Sequence, residues 1–462
     1  MSAPTQPTPA APVSAARNSL LTLVTRLISL PLGLVSSLVL ARTLGDESLG
    51  GYRYLLLFNG LWLPIATLGL GGATIYLLSS RRYTAAQIWP TVLGFGALQG
   101  LMVLALAAIL YPLNLLGGIA EELPSAFIAA TLLILPLQGM YLMGTRVLVG
   151  DSRFGASNLQ HLVSICAPFA LQVLLLVVWP WAAHRAFLDP QAWFIHPLWG
   201  ALLAYILATL FQTVILIWQL WSNYTPERWW NQAFTSDSLT YGWKVWWGDI
   251  TTRLNLRGDQ WILSYFVSKA DLGQYGLAVT LSEILWNIPD SLNYVLFNKL
   301  SAERQDTVRV QLTERVHRVL FWVMLALIGG AAAASPWLIP LLYGPKFQPA
   351  VQPLLWLLPG TLFLTTTKVI TKYFGAVGRP GLSSVTTVAG TIIGLGTCWA
   401  MLWFMPHWGI TGAALASSLG YFCSALLALG LYKWLTRPHK THFFRMRLPD
   451  WLWFREQFRR VV

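Results

Sequence analysis

Asp249-Ile250-Thr251-Thr252-Arg253-Leu254-Asn255-Leu256-Arg257-Gly258-Asp259 sits in the middle of a chain otherwise built for lipid, and whether it crosses the bilayer decides the fold. The chain has 462 residues, 55% hydrophobic and 11% charged, with a formal net charge of +13. Soluble domains carry about 25% charged residues, so this balance excludes a soluble globular enzyme and any disordered or fibrous class. A spanning helix needs ~20 mostly apolar residues. Working outward from 249–259, twelve segments meet that need: 18–41, 51–78, 87–112, 124–147, 156–180, 193–222, 240–267, 272–298, 316–342, 350–374, 381–405 and 409–436. The seventh contains the polar stretch, for which a helix lying in the interface is the alternative.

Charge asymmetry settles the choice, because basic residues mark cytoplasmic loops. With the N-terminus inside and twelve spans, 21 of the 31 Lys and Arg fall on the inner side, five on the outer side and five within spans. Removing the seventh span would put Lys299, Arg304, Arg309, Arg315 and Arg318 outside. The polar stretch is therefore expected to cross, with its polar face on water or protein rather than lipid. The expected organisation is a disordered tail at 1–17, six-helix lobes at 18–222 and 240–436, an inter-lobe linker at 223–239 and a basic tail at 437–462. Residues 1–16 contain no basic residue, so a secretory signal is not expected.

The two halves echo each other. Thr25-Arg26-Leu27, Leu49-Gly50-Gly51-Tyr52 and Trp62-Leu63-Pro64 recur as Thr252-Arg253-Leu254, Leu272-Gly273-Gln274-Tyr275 and Trp286-Asn287-Ile288-Pro289. Six spans per half make the copies parallel, a pattern that places substrate sites at the repeat interface.

Charged residues inside spans are the candidate functional groups, since each is costly there unless solvated or paired. Asp249, Arg253 and Arg257 share one helix face at four-residue spacing. Asp259, two residues beyond Arg257, lies on the wrong face to pair with it. Arg26 has no acid within a turn. Arg53 opens the second span, where it either faces a cavity or snorkels to the outer interface. Arg26, Arg53, Arg253 and Arg257 suit a basic cavity, because a guanidinium can offer a phosphate two parallel hydrogen bonds. The alternative for the buried arginines is pairing with Glu283 or Asp290. Those two acids, with Asn287 between, form one stripe of the eighth span, and they either couple an ion or balance the arginines. Asp249 and Asp259 join them as candidates for the same two roles. Lys368 is a weaker cavity candidate, and Lys372 reads as an anchor.

Cys166, Cys398 and Cys423 lie in apolar runs whose spacing suits neither disulfides nor a metal. No GxxxxGK[ST], HExxH or GxSxG occurs, and no long outer loop could house a catalytic site. The 24 Trp and 16 Tyr suit interfacial belts, with some free to stack on sugar rings.

Leu38-Val-Leu-Ala-Arg42-Thr-Leu-Gly45-Asp-Glu-Ser-Leu-Gly50-Gly-Tyr52 resembles the start of polysaccharide-export flippases, including O-antigen flippases. These belong to the multidrug/oligosaccharidyl-lipid/polysaccharide exporter superfamily. Arg257-Gly-Asp259-Gln-Trp-Ile-Leu, Leu272-Gly-Gln-Tyr275, Ile288-Pro-Asp290, Leu341-Leu-Tyr-Gly344-Pro-Lys-Phe347 and Gly409-Ile-Thr-Gly412-Ala-Ala extend the resemblance over about 18–436.

The resemblance implies an all-α integral membrane protein. About twelve transmembrane helices would form two six-helix lobes, V-shaped around a central cavity. It implies a non-enzymatic flippase of the bacterial inner membrane with both termini cytoplasmic. The substrate would be an oligosaccharide, such as an O-antigen or exopolysaccharide repeat, on a polyprenyl diphosphate. Arg26, Arg53 and either Arg257 or Arg253 would meet the diphosphate. No cofactor is expected beyond H+ or Na+ coupling. The partners expected are membrane lipids, a polysaccharide polymerase and chain-length machinery, and no nucleic acid. Some relatives have fourteen spans, against twelve here. The rival readings are an ion-coupled multidrug antiporter, whose cavity should be acidic or apolar, and a membrane polymerase or ligase.

Overall fold

The computed structural model describes residues 12–113, 116, 118–180, 197–437 and 443–444. Side chains at 12–24, 26–28, 291, 294, 295, 298 and 302 are outside the description. So are most of the two expected tails and the loop 181–196. Every described element is helical, and no strand occurs among the described residues.

The helices in chain order are α1 (Pro12–Ala66), α2 (Leu70–Ser79), α3 (Ala85–Leu110), α4 (Gly118–Glu121), α5 (Ser125–Leu133), α6 (Leu135–Gly150) and α7 (Phe154–Val173). There follow α8 (Pro197–Asn223), α9 (Gln232–Leu263), α10 (Lys269–Ala302), α11 (Asp306–Tyr343), α12 (Val351–Ala376), α13 (Pro380–Phe404) and α14 (Gly409–Leu435).

Each of the twelve segments read from the sequence coincides with described helix over most of its length. The first two share α1, broken at Gly45, whose φ of 72° and ψ of −178° only glycine adopts readily. Among the described residues, eight helices are long and apolar enough to cross a membrane, and a ninth span comes from α1 and α2, bent by 54°. This is a multi-pass membrane protein. The helices α9 and α10 are not in that set, because they carry the polar stretch and the acid stripe.

Two helix starts differ from the sequence reading. α1 begins at Pro12, so 12–17 of the expected tail is helical, with proline in its favoured first-turn place. α9 begins at Gln232, inside the expected linker. The cause is a cap: the Asn231 side-chain oxygen accepts from Phe234 N–H at 3.0 Å, while Asn231 N–H donates to Thr91 Oγ1 at 2.9 Å. Ser268 caps α10 in the same way, accepting from Asp271 N–H at 3.2 Å.

The described residues pack as two compact units. One holds residues of Met1–Val39, Ala66–Ala105 and Leu132–Trp246; the other holds Leu40–Ile65, Leu106–Thr131 and residues of Trp247–Val462. The first is centred on Ile88, Val92, Met143, Val147, Leu216 and Phe234, all buried. Within it α3 and α6 cross at glycine, where a β-carbon on Gly96 would lie 2.3 Å from the Gly139 carbonyl oxygen. The second is centred on Leu300, Leu320, Ile370, Phe374, Ala428 and Tyr432. Small residues at such crossings let backbones touch, which in lipid replaces the hydrophobic drive that water would supply.

Candidate functional site

The candidate site lies within the second unit, on the face where α10 meets the latter half of α1. The two echoes of the repeat touch there. A β-carbon on Gly50 would lie 1.7 Å from the Lys269 carbonyl oxygen, and one on Gly273 would lie 2.3 Å from that of Asp46. Gly50 and Gly273 are the second residues of Leu49-Gly-Gly-Tyr52 and Leu272-Gly-Gln-Tyr275. From this crossing the helices run side by side in the same direction.

One position past each motif the two copies differ, Arg53 in the first and Gly276 in the second. The difference is complementary. A β-carbon on Gly276 would lie 2.6 Å from Arg53 Cδ and 2.7 Å from its Nη1. Gly276 therefore makes the space that Arg53 occupies. Arg53 Nη1 donates to Thr280 Oγ1 at 3.0 Å, and its Nε is buried without a hydrogen-bond partner. Of the two readings for Arg53, the structure holds the guanidinium across on α10.

Arg257, on α9, meets the same face of α10 less than one turn further along. Its Nη1 and Nη2 donate to Glu283 Oε1 and Oε2 at 2.6 and 3.1 Å, a bidentate pair. The side chains remain 35% and 25% exposed. Thr280 and Glu283 differ by three residues, about 4.5 Å along the helix axis. Two guanidiniums thus line one stripe of α10, and Arg53 lies within electrostatic range of both Arg257 and Glu283.

The pairing of Arg257 answers the question left open by the sequence: its first partner is a carboxylate. Asp290 pairs instead with Lys368, 2.9 Å from Nζ, which also lies 5.0 Å from the centre of the Trp286 ring. Lys368 is therefore tied to the acid stripe as a charge balance. Asp259 is buried and turned away from Arg257, as its spacing indicated. It accepts from Tyr275 Oη at 2.5 Å, Ser417 Oγ at 2.8 Å and Gln260 N–H at 2.7 Å. No basic side chain pairs with it among the described residues. A narrow cleft lined by Asn255, Thr391, Ser417 and Tyr421 reaches it.

Asp249 is exposed and Arg253 half-buried, both on α9. The Arg26 side chain lies outside the described residues, so the structure leaves its expected role where the sequence put it. The cysteines are unpaired, and the described residues contain no cluster of His, Cys, Asp or Glu that could hold a metal.

Sequence reasoning missed Gly276 and Thr280, which shape the Arg53 seat, and Tyr275 and Ser417, which hold Asp259. The spacing Gly273, Gly276, Thr280, Glu283 is a small-residue stripe ending in an acid, and it was legible as a helix-contact face.

The family described as polysaccharide biosynthesis protein matches residues 39–352. No curated relative matches the sequence. Among solved structures, the lipid II flippase MurJ in an inward closed conformation aligns at a TM-score of 0.71 and 15% identity, covering 94% of this chain and 89% of that one. An inward-facing multidrug resistance MATE family transporter of the MOP superfamily aligns at 0.67 and 12%, covering 91% and 98%. A point mutant of the Vibrio cholerae MATE transporter VcmN aligns at 0.60 and 13%, covering 93% and 99%. At these identities the likeness establishes the fold, that of MOP superfamily membrane transporters.

Proposed function

The chain belongs to the polysaccharide biosynthesis protein family, and we propose that it flips a polyprenyl-diphosphate-linked oligosaccharide across the bacterial inner membrane. The reading is of a transporter, not an enzyme. The sugar and diphosphate cannot enter hydrocarbon, so they need a wet, charged path while the prenyl tail stays in lipid. The observation that carries this reading is the pair of guanidiniums, Arg53 and Arg257, on one stripe of α10. Glu283 occupies Arg257 with the fork geometry that a phosphate would use, and the diphosphate displaces it. Arg253, half-buried on α9, joins this reading, and Arg26 is kept in it on the sequence argument alone. Transport by alternating access without ATP completes the reading.

The test is surface polysaccharide in a deletion strain complemented by each variant. Arg53→Ala, Arg26→Ala and Arg257→Ala are expected to stop export, the first two at near-normal protein level and Arg257→Ala at a reduced level because it strands Glu283. Full export from all three would remove the basic-path reading. A multidrug antiporter is disfavoured by the positive charge of the site.

Glu283 and Asp290 are occupied by Arg257 and Lys368, and of the two remaining candidates we assign coupling of a proton or sodium gradient to the buried Asp259 rather than the exposed Asp249. Asp259→Asn keeps one acceptor oxygen, enough for Tyr275 and Ser417, and loses the charge together with the oxygen that accepts from Gln260 N–H. Transport by that variant is expected to ignore the gradient at normal abundance; an unchanged gradient response would assign coupling elsewhere. The charge count assigns both termini and the segment 299–318, which is helical except at 303–305, to the cytoplasm. Single cysteines at its exposed positions, such as 304 and 307, should resist a membrane-impermeant maleimide in intact cells, and labelling there would break the twelve-span topology.

A further inference from the structure

Beside the guanidinium pair, within the same unit, the latter half of α1 and the end of α9 bring five aromatic rings together. Tyr54, Phe58 and Trp62 recur every four residues on α1 and so form one stripe. Trp261 on α9 meets all three. Its ring lies 6.2 Å from Tyr54, nearly parallel at 16°, 5.9 Å from Phe58 and 5.9 Å from Trp62. Tyr265 adds a fifth ring, 6.0 Å from Trp261 and edge-on.

The cluster is graded from back to front. Tyr54 and Phe58 are buried at 2% and 4% exposure, and the Tyr54 hydroxyl is fixed by the Leu116 carbonyl at 2.5 Å. Trp62 and Trp261 are half-buried, and Tyr265 is 45% exposed.

We propose that Trp261, backed by Tyr54 and Phe58 and flanked by Trp62 and Tyr265, is a stacking platform for the sugar ring next to the diphosphate. The proposal rests on the flippase reading above and adds to it a sugar subsite. Arg257 and Trp261 share one face of α9 a single turn apart, about 6 Å along the axis. A diphosphate held by Arg257 therefore presents its first sugar beside the indole. A pyranose has an apolar face of C–H groups and a rim of hydroxyls. The half-buried Trp261 indole offers an apolar face for the ring, and the exposed Tyr265 lies at its rim. Stacking tolerates changes in hydroxyl configuration, so the platform selects for a sugar being present more than for which sugar it is.

The test compares two probes on the full chain in lipid nanodiscs: undecaprenyl diphosphate alone, and the same carrier bearing one N-acetylhexosamine. Wild type is expected to bind the glycosylated probe about tenfold tighter than the bare one. Trp261→Leu should erase that preference and leave bare-carrier affinity unchanged, while Trp261→Tyr keeps it. Tyr265→Ala, at the exposed edge, should weaken the preference about threefold without lowering thermal stability, and it carries the test if Trp261→Leu does not fold. Equal affinity of wild type for both probes, or an undiminished preference in the folded variants, overturns the platform. Failure of wild type to bind either probe overturns the diphosphate reading itself, and the platform with it.

Discussion

Gly273→Val is expected to abolish folded protein. The backbones of α1 and α10 touch at Gly50 and Gly273, and a β-carbon on Gly273 would meet both the Asp46 carbonyl oxygen at 2.3 Å and Gly50 N at 2.9 Å. Neither atom belongs to a side chain that can rotate away. Relief requires the helices to part, which also pulls Arg53 from Thr280. Overpacking costs ~1–3 kcal/mol where side chains can adjust, and a valine against backbone exceeds that range. The control is Gly60→Ala on α1, where a β-carbon meets nothing within 4 Å. Size-exclusion profiles of the two variants in detergent decide the matter: a monodisperse Gly273→Val peak at wild-type level would show that the crossing is looser than described.

The second large effect concerns the Arg257–Glu283 pair. Arg257→Ala strands a half-buried carboxylate, and Glu283→Ala strands a guanidinium. Breaking a fully buried pair costs ~3–5 kcal/mol and an exposed one under about 1, so this partly solvated pair falls between, at ~1–3 kcal/mol. The double variant removes both charges and should recover protein abundance. Export should not recover, because charge-assisted hydrogen bonds to the substrate are worth ~1.5–3 kcal/mol, or roughly tenfold to hundredfold in binding. Recovery of export in the double variant would make the pair purely structural.

Much of this was written in the local chain. The polar stretch 249–259 lies within α9, and Arg257 and Asp259, two residues apart, take different partners as their offset indicated. The echo of Leu49-Gly-Gly-Tyr52 in Leu272-Gly-Gln-Tyr275 marked the residues that meet, although not that they meet each other. What the sequence could not carry was partner choice between helices. Glu283 and Asp290 lie on one stripe, and both were available to arginine. Asp290 takes Lys368 instead, 78 residues away on α12, a helix that has lysines but no arginine to offer. Gly276 looked ordinary because its function is the room it leaves for Arg53. The start of α9 was misplaced because its cap, Asn231, depends on Thr91 and Gln87 of α3 to hold it.

The most direct measurement is flipping by purified protein. Proteoliposomes would carry a polyprenyl-diphosphate-linked oligosaccharide in the outer leaflet, and the readout is its loss of accessibility to an added glycosidase. The account predicts protein-dependent protection of the sugar, slowed at least about tenfold by Arg53→Ala and by Arg257→Ala at equal reconstitution. Protection at the wild-type rate in both variants, or none with wild type, would contradict it.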